Sequence, residues 1–94
     1  MTLFRWNNGR QPDGLPVRQV YAFCFDDDGR VLLLADAGVY NLPGGTPEPG
    51  ETAQETLERE CLEEGQITLR ACTYLGYQAV TAPGREPYAQ LRYA

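Results

Sequence analysis

The chain contains no histidine and no lysine. Their absence removes imidazole general bases, imidazole metal ligands and lysine Schiff-base chemistry. The three cysteines, Cys24, Cys61 and Cys72, stand far apart with no Cys-x-x-Cys spacing. Without histidine they do not make a zinc site. Their odd number, with no secretory leader, fits buried thiols in a reducing cytoplasm. No apolar run approaches the ~20 residues of a membrane span, and there is no repeat or low-complexity tract. Cations are scarce: eight arginines against 13 acidic residues give a net charge of −5. That excludes a general basic surface, and with it a nucleic-acid polymer as partner. An all-arginine set suits a bidentate grip on phosphate, although genomic codon bias is the simpler cause.

What remains is a 94-residue chain, 43% apolar, with ten aromatic residues. It is long enough for one small domain spanning 1–94, near the lower limit for a stable core. Residues 1–16 form an arm rich in turn formers around Phe4 and Trp6, read as a loosely attached terminus or an edge strand. Val17 to Phe25 is β-branched and aromatic and reads as a central strand buried on both faces. Asp26-Asp27-Asp28-Gly29 reads as a hairpin turn into Arg30 to Ala35. The alternating spacing of a calcium loop is missing from it. Val39 to Leu42 is a short strand. Ile67 to Gln78 reads as a strand, with Gly76 marking a bulge or close approach. A loop from Ala82 to Pro87 leads to a last strand, Tyr88 to Tyr93.

Pro43 to Ile67 is the stretch around which the chain is organised. Two glycines open a loop, and Thr52 with Glu55 three residues on forms a capping box. Gly65 reads as the stop. Ala53, Leu57 and Cys61 recur every fourth residue and supply the face that docks on a core. Seven of the 13 acidic residues fall between Glu48 and Glu64, with only Arg59 to balance them. Like charges at this density destabilise a helix unless something neutralises them. At ~100° per residue, Glu60, Glu63 and Glu64 share a face bordering the apolar stripe. Glu55, Glu58 and Arg59 point further out, where Glu55–Arg59 and Arg59–Glu63 pairs can form. Two readings stand at this point: a solvated acidic face, or a set of hard oxygen ligands for Mg²⁺ or Mn²⁺.

Gly45, five residues, Glu51, seven residues, then Arg59-Glu60-Cys61-Leu62-Glu63-Glu64 resembles the Nudix box of the Nudix hydrolases. The Leu42-Pro43-Gly44-Gly45 lead-in is similar too. Cys61 stands at a position usually aliphatic, Gly65 comes one place early with Gln66 after it, and Tyr40 replaces a common tryptophan. The resemblance implies an α+β or α/β fold: a mixed β-sheet with the Nudix loop-helix packed on it. It also implies that the C-terminal strands and second helix are missing after Ala94, or that a homodimer supplies cover.

The same resemblance implies a Mg²⁺-dependent enzyme cleaving the pyrophosphate bond of a nucleoside diphosphate linked to another moiety. It assigns Glu60, Glu63, Glu64 and the Gly45 carbonyl as metal ligands. Arg59 would hold those carboxylates through ion pairs, and Glu51 would be an orienting carboxylate or base. Glu86, the only acidic residue after Glu64, is a weak candidate base, and Arg85 and Arg92 read as surface charges, with contact to phosphate as their alternative role. The alternative is a Nudix-fold module that senses a nucleotide without hydrolysing it.

Overall fold

The computed structural model describes residues 1–94. Its elements in order are β1 (Leu3–Asn8), β2 (Val17–Ala22), β3 (Leu34–Asp36), β4 (Val39–Asn41), β5 (Gly44–Gly45), α1 (Ala53–Gly65), β6 (Tyr74–Thr81) and β7 (Tyr88–Tyr93). Five strands make one mixed sheet in the order β1-β6-β7-β2-β5, and β3 with β4 makes a separate hairpin. Strand β2 runs parallel to β7, and every other neighbour in the sheet is antiparallel. The parallel pair explains the long excursion between them: a crossover needs a dozen or more residues, and α1 lies within it.

One face of the sheet carries the core. Val20 and Ala22 of β2, Ala89 and Leu91 of β7 and Tyr77 of β6 pack together with Leu57 of α1. Leu57, Cys61 and Val20 are fully buried, so the four-residue spacing in the helix docks as its periodicity requires. The helix starts where the capping box puts it: Thr52 accepts from the Glu55 N–H, and Glu55 accepts from the Thr52 N–H.

Several sequence expectations change. Strand β2 ends at Ala22, and Gln19 and Tyr21 on its second face are only half-buried, so this strand is fully covered on one side. Residues 67–73 are irregular, and β6 begins at Tyr74 and runs to Thr81. Residues 30–33 are not strand apart from a single bridge, Phe25 to Val31. Residues 3–8 of the arm are an edge strand, in register with β6 along their whole length. Gly65 lies inside the helix, and Gln66 takes the left-handed cap at φ 53. A Cβ at position 65 would stand 2.8 Å from the tip of the Ile67 side chain, which is free to shift. Ile67 folds back over it to cap the Cys61 carbonyl.

The three cysteines, distant in sequence, become neighbours. Cys24 and Cys72 pack against the core and line one cavity. Burial pushes the Cys61 thiol up to about 12, an effect that neighbouring Cys24 enlarges. Burial raises Cys24 and Cys72 as well. No helix is long and apolar enough to cross a membrane.

Candidate active site

Gly44 and Gly45 pair with Tyr21 and Val20 as a two-residue edge strand, and this brings the loop beneath the acidic helix. Sequence reading missed β5, because a two-residue strand has no periodicity to detect. The Glu64 carboxylate accepts the Gly44 N–H at 3.0 Å. The Glu60 carboxyl fills the space over Gly45, with atoms 2.7–3.0 Å from where a Cβ would stand. Both carboxylates predicted on the helix therefore converge on the double glycine. A side chain at position 45 would occupy the place that Glu60 holds.

Arg59 turns inward from the outward direction that helical spacing alone gives it, and pairs with these carboxylates. Its guanidinium lies within 3.8 Å of Glu48, Glu51, Glu60 and Glu63. It donates to both Glu51 oxygens, at 2.7 and 3.0 Å, to Glu60 at 2.7 Å, and to the Thr46 carbonyl at 3.1 Å. The Arg59–Glu63 pair forms at 3.4 Å. The Glu55–Arg59 pair does not, because Glu55 is committed to the N-cap. Its bonds to Glu51 first and then to Glu60 keep its proton firmly bound, and the Arg59 pKa is raised above its ordinary value.

Glu51 is held from three directions. Besides Arg59, it accepts the Glu48 N–H at 2.8 Å and the buried Thr56 hydroxyl at 3.0 Å. These bonds, Arg59 first, hold its carboxyl down at about 2 against an ordinary 4.5. A carboxyl whose folded pKa is depressed stabilises the fold fully above its unfolded pKa. That contribution disappears as pH falls from 4.5 through about 2. Glu51→Gln is accordingly expected to lower the melting temperature at pH 7 and to converge on wild type near pH 2. Thermal melts across that range check this, and an equal gap at both ends would refute the link.

No three acidic side chains are placed to hold a metal ion together as they stand. Arg59 draws Glu60 and Glu63 to itself, while Glu64 is held at Gly44. Glu48, Glu51, Glu60, Glu63 and Glu64 nevertheless share this region with a single cation, and the excess negative charge is all on hard oxygen donors. The donor chemistry suits a small divalent cation. Glu86 is not part of the group. It lies in the exposed turn before β7, at the opposite end of that strand from the site. Arg85 sits with it, 5.3 Å from the Tyr88 ring. Arg92, expected at the surface, is half-buried over Tyr21.

The chain is similar to known proteins in sequence and in fold. The NAD-capped RNA hydrolase NudC of Pseudomonas syringae pv. tomato is 36% identical over 47 residues, 50% of this chain and 17% of that protein. Its counterpart from Pseudomonas entomophila is 46% identical over 46 residues, 49% of this chain and again 17% of the relative. The crystal structure of a mutant of the Bacillus subtilis pyrophosphohydrolase BsRppH superposes with a TM-score of 0.79 at 25% identity. That match covers 96% of this chain and 56% of that one. The chain thus spans about a sixth of the length of the NudC proteins it matches and just over half of the structural relative. The mixed sheet with one packed helix is the Nudix fold. The profile of the NUDIX domain matches residues 15–93, nearly the whole chain after its first strand, and the protein belongs to the Nudix family.

Proposed function

We propose that the protein hydrolyses the pyrophosphate bond of a nucleoside diphosphate linked to another moiety, in a reaction dependent on Mg²⁺ or Mn²⁺. The observation that carries this reading is the convergence of Glu60 and Glu64 on Gly44-Gly45, with Arg59 tying Glu60 to Glu51 and Glu63. Glu60, Glu63, Glu64 and the Gly45 carbonyl would hold the cation. Bound there, it supplies charge neutralisation, orientation of the diphosphate and a more acidic water.

The chain's own residues account for the rest. Unneutralised, the acidic face repels a diphosphate, so the substrate and the cation are expected to bind together. Arg59 does not reach toward substrate; its donors are taken by carboxylates and the Thr46 carbonyl, and it sets where Glu60 and Glu63 stand. Glu51 is a positioning residue rather than a base, because its oxygens are occupied and a carboxyl held at about 2 is a poor proton acceptor at neutral pH.

Similarity to NAD-capped RNA hydrolases suits this substrate class, since NAD is itself two nucleosides joined by a diphosphate. It also bears on the expectation that no nucleic-acid polymer is a partner. That expectation rests on net charge alone, and a polymer gripped by its terminal diphosphate needs no basic surface. A capped RNA end therefore falls within the proposed class.

A second reading keeps the fold and the cation but not the chemistry. It is favoured by the absence of any carboxylate outside the box near the cluster, which leaves no evident general base. Cleavage assays on NAD, ADP-ribose, nucleoside triphosphates and a NAD-capped oligonucleotide decide between the two. Turnover that requires Mg²⁺ and stops with EDTA is expected. Binding of these compounds with no turnover on any of them would favour the sensor.

A further inference from the structure

Seven arginines are either surface-exposed or saturated with carboxylates, and Arg92 is neither. Arg59 is the only other arginine that is not exposed, and it is surrounded by four acidic groups. Arg92 has no carboxylate within ion-pair distance. Its donors reach only the Leu91 carbonyl at 3.3 Å and the Gln90 amide oxygen at 3.0 Å. The residues around it on the sheet are neutral: Tyr21 and Gly76 share its register, and Gln90 in turn bonds to Gln19. A half-buried guanidinium with no anion is unfavourable, and desolvation lowers its pKa below the ordinary arginine value. Its five N–H groups leave a planar fork largely unused. Tyr21 fixes that fork, with its ring centroid 4.9 Å from the guanidinium carbon.

The position of this cation relative to the acidic cluster is set by register. Arg92 on β7 pairs with Tyr21 on β2, and Tyr21 pairs with Gly44 on β5. Gly44 donates its N–H to Glu64. Two strand spacings, about 10 Å, separate the β7 and β5 backbones. Tyr21 links the two ends: its ring centroid lies 4.9 Å from the Arg92 guanidinium carbon, and its strand pairing places it beside Gly44, whose N–H Glu64 accepts. Gly44 has no side chain to block the passage, and the Tyr21 ring lies against it.

We infer that Arg92 is a substrate-binding residue, its guanidinium taking the phosphate that lies away from the Glu60–Glu64 carboxylates, with Tyr21 as its platform. This rests on the proposed diphosphate substrate of the same site. The test is calorimetric titration of the full chain with imidodiphosphate and Mg²⁺, alongside steady-state kinetics on the best substrate. Arg92→Gln is expected to raise Kd and KM about 10- to 100-fold, the range of a hydrogen bond to a charged group. Its kcat is expected to change less than about threefold, and Arg92→Lys to recover part of the loss. Since Arg92 makes no ion pair, a melting temperature close to wild type is expected for Arg92→Gln. An unchanged Kd and KM in a folded Arg92→Gln protein, or no imidodiphosphate binding by wild type, would overturn the inference. Arg92-dependent binding without turnover on any substrate would sustain it and refute the hydrolase instead.

Discussion

Glu64→Gln is expected to lower Mg²⁺-dependent turnover by about a thousandfold while leaving the fold intact. The substitution is nearly isosteric, and the glutamine oxygen can still accept the Gly44 N–H that Glu64 holds at 3.0 Å. The β5–α1 contact therefore survives, and what is lost is one negative charge among oxygen donors that would hold a divalent cation. A bound cation contributes several kcal/mol of charge stabilisation in such reactions, and each ~1.4 kcal/mol is tenfold in rate. The same change at Glu58, on the outer side of the helix, should be silent. Steady-state kcat at saturating Mg²⁺, with a thermal melt for each variant, reads both effects. A Glu64→Gln enzyme within tenfold of wild type would remove Glu64 from the ligand set.

The helix and its acidic face were legible because each rests on local chemistry. Thr52 and Glu55 cap each other across three residues, and the Ala53-Leu57-Cys61 spacing leaves one face to bury. Helical spacing alone pointed Arg59 outward, although the box resemblance paired it with these carboxylates. Helical geometry gives the direction of a side chain at its root, but a long guanidinium goes where its partners are. Its strongest partner, Glu51, lies before the helix starts, eight residues away in sequence. Strand β5 escaped because two glycines carry no pattern, and its pairing with β2 depends on a tertiary contact. The sequence left Arg92 between surface charge and phosphate contact, because alternation along β7 assigns a face without saying what covers it. Only the neighbouring strand, with Tyr21 at the same register, makes it a half-buried cation. The thiol cluster was hidden likewise: residues 24, 61 and 72 come from a strand end, a helix and an irregular segment.

The two glycines of the loop should fail in opposite ways, and the contrast tests the geometry of the site directly. Gly44 has φ 144, a conformation that side chains disfavour, and a Cβ there would collide with the Val20 carbonyl and lie 2.7 Å from the Tyr21 Cα. Both obstacles are backbone of the interior strand β2 and cannot rotate away. Strain at such a φ costs about 1–3 kcal/mol and overpacking a similar amount. With only 12 of 94 residues buried, there is little core to absorb the shift. Gly44→Ala is therefore expected to lower the melting temperature by about 15 °C or more. Gly45 lies outside the positive-φ region, and its obstacle is the Glu60 carboxyl, the far end of a flexible side chain. That group can swing aside at little cost in stability, but it then leaves the place from which it would bind the cation. Gly45→Ala should melt within a few degrees of wild type and turn over about a hundredfold more slowly, as expected when a ligand is displaced by about an ångström. Thermal melts and kcat on the two variants settle the matter. A stable, active Gly45→Ala protein would show that the Glu60 position over the glycine has no part in catalysis.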